Sequence, residues 1–308
     1  MKVVYSEKYV TMDLEGHIFP NIKYKKILEE LLRLGVVKEN EVEQPIQISP
    51  EDLKIVHDPE YIEDFVNLRW TWRTSRSEMP LNRSIVEGFI LMAGGTLKAS
   101  YIALEQGFGY HIGGGFHHAY EDHAEGFCYV NDIAFAIKKL LIEGRIQKAA
   151  VVDCDLHQGN GTAHIFRNEP RVFTFSIHQE YLYPVPKEKS DLDIGLPNLT
   201  SDEKYLEILS DVVPRIYDEF KPEFVVYQAG ADPYRGDVLG DLMLSIEGLK
   251  KRDEIVLSEA HKRGIPVAIT LGGGYAPDLM DTVRIHVNTA LVAYHLMAKN
   301  SDTSLDAR

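Results

Sequence analysis

Short, continuously apolar runs recur along the chain at residues 3–5, 110–112, 149–153, 172–177, 224–228 and 267–271. Strands covered on both faces read this way, whereas a half-solvated strand would alternate, so these runs predict a buried parallel sheet. Between them, residues 24–34, 59–68, 85–106, 131–143, 201–220, 246–263 and 278–297 carry apolar positions at helical spacing. Ser84 and Ser201 stand where helices would be capped, and Gly35, Gly107 and Gly264 where helices would stop. Strand and helix alternate without a linker or a repeat. The expectation is one doubly wound α/β domain over residues 1–298, with a mostly parallel central sheet flanked by helices. The polar stretch 299–308 is expected to be a disordered tail.

Sheets of this kind bind ligands beyond the carboxyl ends of their strands. Five of the predicted strands end in chemically rich clusters: GGGFHH at 113–118, DCDLH at 153–157, SIH at 176–178, AGAD at 229–232 and GGGY at 272–275. Seven of the twelve histidines fall between His111 and His178. In one sheet, such ends converge on one site.

Asp155 and His157 are two apart, so in extended backbone both side chains point the same way and can grip one ion. Asp232, at another strand end, is the natural third ligand. Two carboxylates and one imidazole leave a fourth position of zinc open, as catalytic sites do. The competing reading is that Asp155 and His157 only cap a helix at 159–166 and that Asp232 starts a turn before Pro233. His117 and His118 follow three glycines and suggest acid–base groups beside a substrate, with Asp153 and Asn160 as partners that fix their tautomers. Tyr275 offers a hydroxyl to a developing oxyanion. Asp122, His123 and Glu125 read as solvated loop residues, and Cys128 and Cys154 as small buried thiols.

Composition narrows the function further. With 44% hydrophobic and 26% charged residues, the chain has material for a full core. Lys and Arg number 33 against 47 Asp and Glu, a net charge of −14, which argues against direct nucleic-acid binding and suits cationic ligands. The densest basic stretch, RWTWRTSR at 69–76, reads as an amphipathic turn or loop over the core rather than a base-stacking surface. No dinucleotide fingerprint or Walker lysine is present. Two cysteines, no signal-peptide pattern and no run of eighteen apolar residues predict a cytoplasmic protein that does not span a membrane.

The ordered motifs GGGFHHA (113–119), GFCYVND (126–132), DCDLHQGNG (153–161), SIH (176–178), QAGAD (228–232) and LGGGY (271–275) resemble the zinc-dependent histone deacetylase superfamily, from about residue 4 to 298. HQGNG at 157–161, the Tyr183-Pro184 pair, GDVLGDLMLS at 236–245 and the opening VYSEKY with Gly16-His17 resemble its class IV branch. The resemblance implies an arginase/deacetylase-like fold and zinc, or ferrous iron, held by Asp155, His157 and Asp232. It implies His118 as general base and then acid, His117 as electrostatic partner with Asp153 behind it, and Tyr275 polarising the acyl carbonyl. Phe127 and Tyr183 become the walls of an acyl-lysine tunnel, with Gly126 and Gly273 beside it. A structural potassium ion would take Asp153, Asp155, His157, Ser176 and Ile177, mainly through backbone carbonyls, and a second would involve Phe166 and Val172.

Two positions depart from the class I pattern: Asn160 stands for aspartate and Tyr183 for phenylalanine. Asn160 brings no full charge to His118, so its imidazolium is expected to be less stabilised than that of His117, with His118 titrating and His117 staying charged. The implied activity is hydrolysis of acetyl or longer fatty-acyl amides on the lysine ε-amine, in a protein, a peptide or a small acylated amine. An acetylpolyamine amidohydrolase and a catalytically silent acyl-lysine binder are the alternatives. Binuclear arginase chemistry needs further aspartates and does not suit His117-His118.

Overall fold

The computed structural model describes residues 1–303, with side chains described to residue 298. Its strands are β1 Val3–Val4, β2 Val42–Glu43, β3 Phe108–His111, β4 Ala149–Asp153, β5 Val172–Gln179, β6 Leu192–Leu196, β7 Phe224–Gln228 and β8 Val267–Thr270. They form one sheet in the order β2-β1-β3-β8-β7-β4-β5-β6, and every pairing is parallel. The central strands β3, β4, β7 and β8 are buried along their whole length, as their unbroken apolar runs predicted.

The two edge strands β2 and β6 escape the hydrophobic pattern. β2 is two residues long, and β6 alternates, with Asp193 and Gly195 turned to solvent. An edge strand has one ladder partner and one wet face, so it reads like a loop.

The helices are α1 Ile22–Arg33, α2 Pro50–Leu53, α3 Pro59–Val66, α4 Trp72–Ser75, α5 Arg83–Gln106, α6 Asp132–Ile142, α7 Asn160–Phe166, α8 Asp202–Glu219, α9 Ile246–Lys262 and α10 Leu279–Thr303. α1, α10, α9 and α8 pack side by side in that order, and α5, α6 and α7 form a second series. α10 continues past residue 297, where the helical pattern was expected to end. The tail expected beyond it falls, after residue 303, outside the described residues. By length and composition α5 could cross a membrane, but 78% of its apolar window is buried against its neighbours in the fold. Gly35, Gly107 and Gly264 do follow the ends of α1, α5 and α9. The cap of α5 is Asn82 rather than Ser84. Asn82 Oδ1 accepts the Ile85 N–H at 3.1 Å, and the Ser84 hydroxyl donates to that same oxygen. Ser201 occupies the cap position of α8 without a side-chain bond.

Two buried histidines lock loops to this frame. His57 donates from Nδ1 to the Tyr120 carbonyl (2.8 Å) and accepts the Asn131 N–H at Nε2 (3.1 Å), which requires a neutral ring. His111 is held between Thr96 and Tyr9. Burial lowers the two pKa values to about 4 and about 3. Above about pH 6.5 both rings are neutral in folded and unfolded chains alike, and this contribution is complete. As the pH falls toward 4 only the unfolded chain takes up these protons, so stability falls with it. For His57 the loss is about 3 kcal/mol over that window. Urea midpoints should therefore drop between pH 7 and 4.5, and drop less in His57→Gln, which keeps a donor and an acceptor without titrating. Identical pH dependence in the two proteins would refute the assignment.

Candidate active site

β4 and β7 lie side by side, with Asp153 opposite Gln228, so the segments that follow them emerge together. Asp155 and His157 leave the end of β4, and Asp232 leaves the end of β7. Ligand atoms of these three lie within 4.8 Å of one another. One oxygen of each carboxylate accepts an N–H from across the site, Asp155 Oδ2 from Gly273 and Asp232 Oδ1 from Leu156, both at 3.0 Å, and Asp155 Oδ1 also accepts the His157 N–H at 3.0 Å. The other oxygens, Asp155 Oδ1 and Asp232 Oδ2, stand 3.3 and 3.2 Å from His157 Nδ1. Asp232 Oδ2 is buried and has no hydrogen bond. Burial and the neighbouring Asp155 charge raise the Asp232 carboxyl to about 7. A buried carboxylate oxygen without a hydrogen bond, close to a second carboxylate, is costly unless a cation balances the two. The donor set, two oxygens and one nitrogen, fits a zinc or iron ion with one position left for substrate.

The helix-capping reading of Asp155 and His157 does not hold. α7 begins after Gly159, which has no side chain to cap it. Asp232 does lie in a turn, but its carboxylate reaches back across to the β4 loop. Buried Arg252 of α9 ties the two ligand-bearing loops from behind, donating to the Cys154 carbonyl (3.1 Å) and the Gly230 carbonyl (2.6 Å).

The loop after β3 brings in the paired histidines. Asp132, at the start of α6, accepts the Gly115 and Phe116 N–H groups (2.9 and 2.7 Å) and so shapes the turn. His117 Nδ1 lies 2.7 Å from Asp153 Oδ2, and its Nε2 lies 3.7 Å from Asp155. His118 Nδ1 lies 2.6 Å from Asn160 Oδ1. The Asn160 amide donates to the Tyr120 hydroxyl, which turns its oxygen toward His118. Burial opposes charge on both rings. For His117 the Asp153 and Asp155 carboxylates win and raise it to about 9, whereas burial and the charges of His117 and His157 push His118 well below 6.5. Burial and charge thus favour a charged His117 beside a neutral His118, with aspartate behind the one and asparagine behind the other.

Tyr275 closes the site at the end of the β8 loop. Its N–H donates to Asp237 Oδ2 at 2.6 Å, and burial beside Asp232 and Asp155 keeps its hydroxyl protonated. A Cβ at Gly273 would run into the Asp232 carboxylate, so only glycine lets this loop approach the ligands.

Asp155, His157, Asp232, His117, His118 and Tyr275 face one cavity of about 270 Å³, while Asp153 and Asn160 stand behind the histidines. Gly126, Phe127, Tyr183 and Gly273 line it, as do Phe19, Glu78, Leu182 and Leu239, which the sequence did not single out. Lys23 of α1 also went unnoticed. Its side chain is buried, reaches the Gly272 carbonyl at 2.7 Å, and has its pKa lowered by burial to about 8. An isolated lysine on an amphipathic helix gives no signal of this.

Glu125 does not lie in a solvated loop, the place expected for it. It is buried, accepting the Tyr183 hydroxyl at Oε1 and Arg76 Nε at Oε2, both at 2.7 Å. Asp122 stays partly exposed and pairs with His123. Within residues 69–76, Trp70 and Trp72 are exposed, and Arg76 is the link to the site. Cys128 and Cys154 are free and buried, as expected.

The histone deacetylase domain family model matches residues 17–291. The chain is 39% identical over 285 residues to an uncharacterized protein of Picosynechococcus sp., covering 92% of this chain and 95% of that protein. It is 29% identical to histone deacetylase 2 of Arabidopsis thaliana, over 89% of this chain and 74% of that protein. With human histone deacetylase 1 it shares 30% identity over 85% of this chain and 58% of that protein. The crystal structure of the HDA15 HD domain superposes with a TM-score of 0.79 at 22% identity, covering 97% of this chain and 91% of that one. With its eight-stranded parallel sheet and its Asp155–His157–Asp232 cluster, the chain belongs to the histone deacetylase family.

Proposed function

We propose that the protein is a zinc-dependent deacylase that removes acetyl or other acyl groups from the lysine ε-amine. One observation carries this reading: the unpartnered Asp232 oxygen, the neutral His118 ring and the protonated Tyr275 hydroxyl meet in one apolar-walled cavity. When bound by Asp155, His157 and Asp232, the ion would supply Lewis acidity toward water and the acyl carbonyl.

The chain's own groups do the rest. His118 donates Nδ1–H to Asn160, so Nε2 is free to take a proton from the attacking water as its oxygen bonds to the acyl carbon. His117, already charged through Asp153, does not compete for that proton and adds positive potential. Tyr275 donates its hydroxyl to the oxyanion of the tetrahedral intermediate. His118 then returns its proton to the amine nitrogen as the C–N bond breaks, releasing a carboxylate and a free amine.

The cavity of about 270 Å³, walled by Phe127, Leu182, Tyr183 and Leu239, suits a slender acyl-lysine side chain. Membership of the class IV branch is part of the same proposal, supported by HQGNG at 157–161, the Tyr183-Pro184 pair, the 236–245 segment and the opening VYSEKY with Gly16-His17. A structural potassium ion belongs to the same reading, supported by the register that sets Asp153 of β4 beside Ser176 of β5. The two free, buried thiols suit a reducing compartment, and the cytoplasm is the proposed location.

The test is amine release from one lysine peptide carrying acetyl through myristoyl groups, beside N-acetylputrescine, with a chelator control. Chelator-sensitive turnover of acyl-lysine is expected. Preference for N-acetylputrescine would replace lysine by polyamine as the substrate class. Absence of turnover with metal present would overturn the enzymatic reading.

A further inference from the structure

Both aromatic walls of the cavity depend on one residue that does not itself line it. Glu125 and Cys128 exchange backbone hydrogen bonds (3.0 and 2.8 Å) across a tight turn, with Gly126 and Phe127 at φ +47° and +64°. Two successive left-handed residues define a type I′ turn, which suits glycine and strains a phenylalanine. The strain is held in place by the Phe127 N–H, which donates to the Ser77 carbonyl at 2.8 Å. Glu125 therefore presents Phe127 through its backbone. Through its carboxylate it holds Tyr183, whose ring packs edge-on against His118 with centroids 5.1 Å apart. Arg76 completes the arrangement from the segment that supplies Ser77, so the basic stretch 69–76 acquires a role.

We propose that Glu125, anchored by Arg76, is a positioning residue that fixes the separation of Phe127 and Tyr183 and so sets how tightly the site grips the aliphatic stem of its substrate. The inference rests on the deacylase reading above. Its physical basis is a hydrogen bond to a charged acceptor in a nearly closed setting, which is stronger than one between neutral groups. Arg76 is half exposed, so its ion pair adds little stability of its own and serves mainly to orient the carboxylate and balance its charge. The stem touches the walls equally in the ground and transition states. Loosening a wall therefore weakens binding without slowing the chemical step.

The experiment compares Glu125→Ala, Tyr183→Phe and the double variant with wild type on an acetyl-lysine peptide. Expected for each single variant is a KM raised about tenfold, with kcat held within about twofold and metal content unchanged. Because Glu125 acts through the Tyr183 hydroxyl, Glu125→Ala should add at most the smaller contribution of the Phe127 turn in the Tyr183→Phe background. A fall in kcat in place of the KM rise, or full additivity, overturns the proposal. If Glu125→Ala does not fold, an unchanged KM in Tyr183→Phe overturns it alone. If wild type turns over no acyl-lysine, the deacylase reading fails separately. Crystal structures then judge the clamp: a Tyr183 ring displaced in Glu125→Ala supports it, and an unmoved ring refutes it.

Discussion

Asp232→Asn should fold, bind no stoichiometric zinc and show only the activity of the metal-stripped protein. The substitution keeps a carbonyl oxygen for the Leu156 N–H and removes the charge at the oxygen that has no partner. One carboxylate and one imidazole remain, too few for a site of catalytic type. Two readouts besides activity follow. Adding zinc to the stripped wild-type protein should raise its stability, by about 4 kcal/mol at a thousandfold excess over Kd, and the variant should show no such rise. Without metal the order reverses. The variant should be at least as stable as wild type, because it no longer confines two carboxylates in one buried space. Metal analysis and thermal unfolding with and without zinc measure all of this. One zinc per chain retained in Asp232→Asn would remove Asp232 from the ligand set.

Tyr275→Phe is expected to lose about two orders of magnitude in kcat, the usual consequence of deleting one oxyanion donor. Its KM and metal content should stay near wild type. The backbone bond to Asp237 is untouched, and the ring keeps its place near Phe127, with centroids 6.0 Å apart. Because burial keeps the hydroxyl protonated, the deficit should be the same across the neutral and mildly alkaline range. A base in that position would instead give a deficit that changes with pH. Full turnover by metal-loaded Tyr275→Phe would show that the oxyanion is stabilised elsewhere.

These expectations draw on residues that were visible in the sequence for a simple reason. Asp155, His157, Asp232, His117, His118 and Tyr275 all lie just beyond continuously apolar strands, and a parallel sheet delivers such ends to one edge. The triad needed only the sheet order to be completed. Glu125 and Arg76 were misread because their roles come from partners 58 and 49 positions away, which no local pattern encodes. A carboxylate beside Asp122 and His123 looks solvated until the Tyr183 loop folds over it. Lys23 and Asp237 were passed over for the same reason, each defined by a backbone group of the β8 loop. The strands β2 and β6 were lost differently, since an edge strand carries half the hydrophobic signal of a central one.

The place of β8 has a consequence for how the molecule comes into being. Among the described residues it is the last strand, yet it lies between β3 and β7, joining β2-β1-β3 to β7-β4-β5-β6. A chain emerging from the ribosome carries both halves of the sheet before it carries the strand that unites them. Contacts of such long sequence separation form slowly, and unjoined strand edges stay exposed in the meantime. The loop that bears Tyr275 and shields Asp155 is the direct continuation of that strand. Chemistry and closure of the sheet therefore arrive together, and a nascent chain acquires its reactive centre only once the two halves of its sheet are joined.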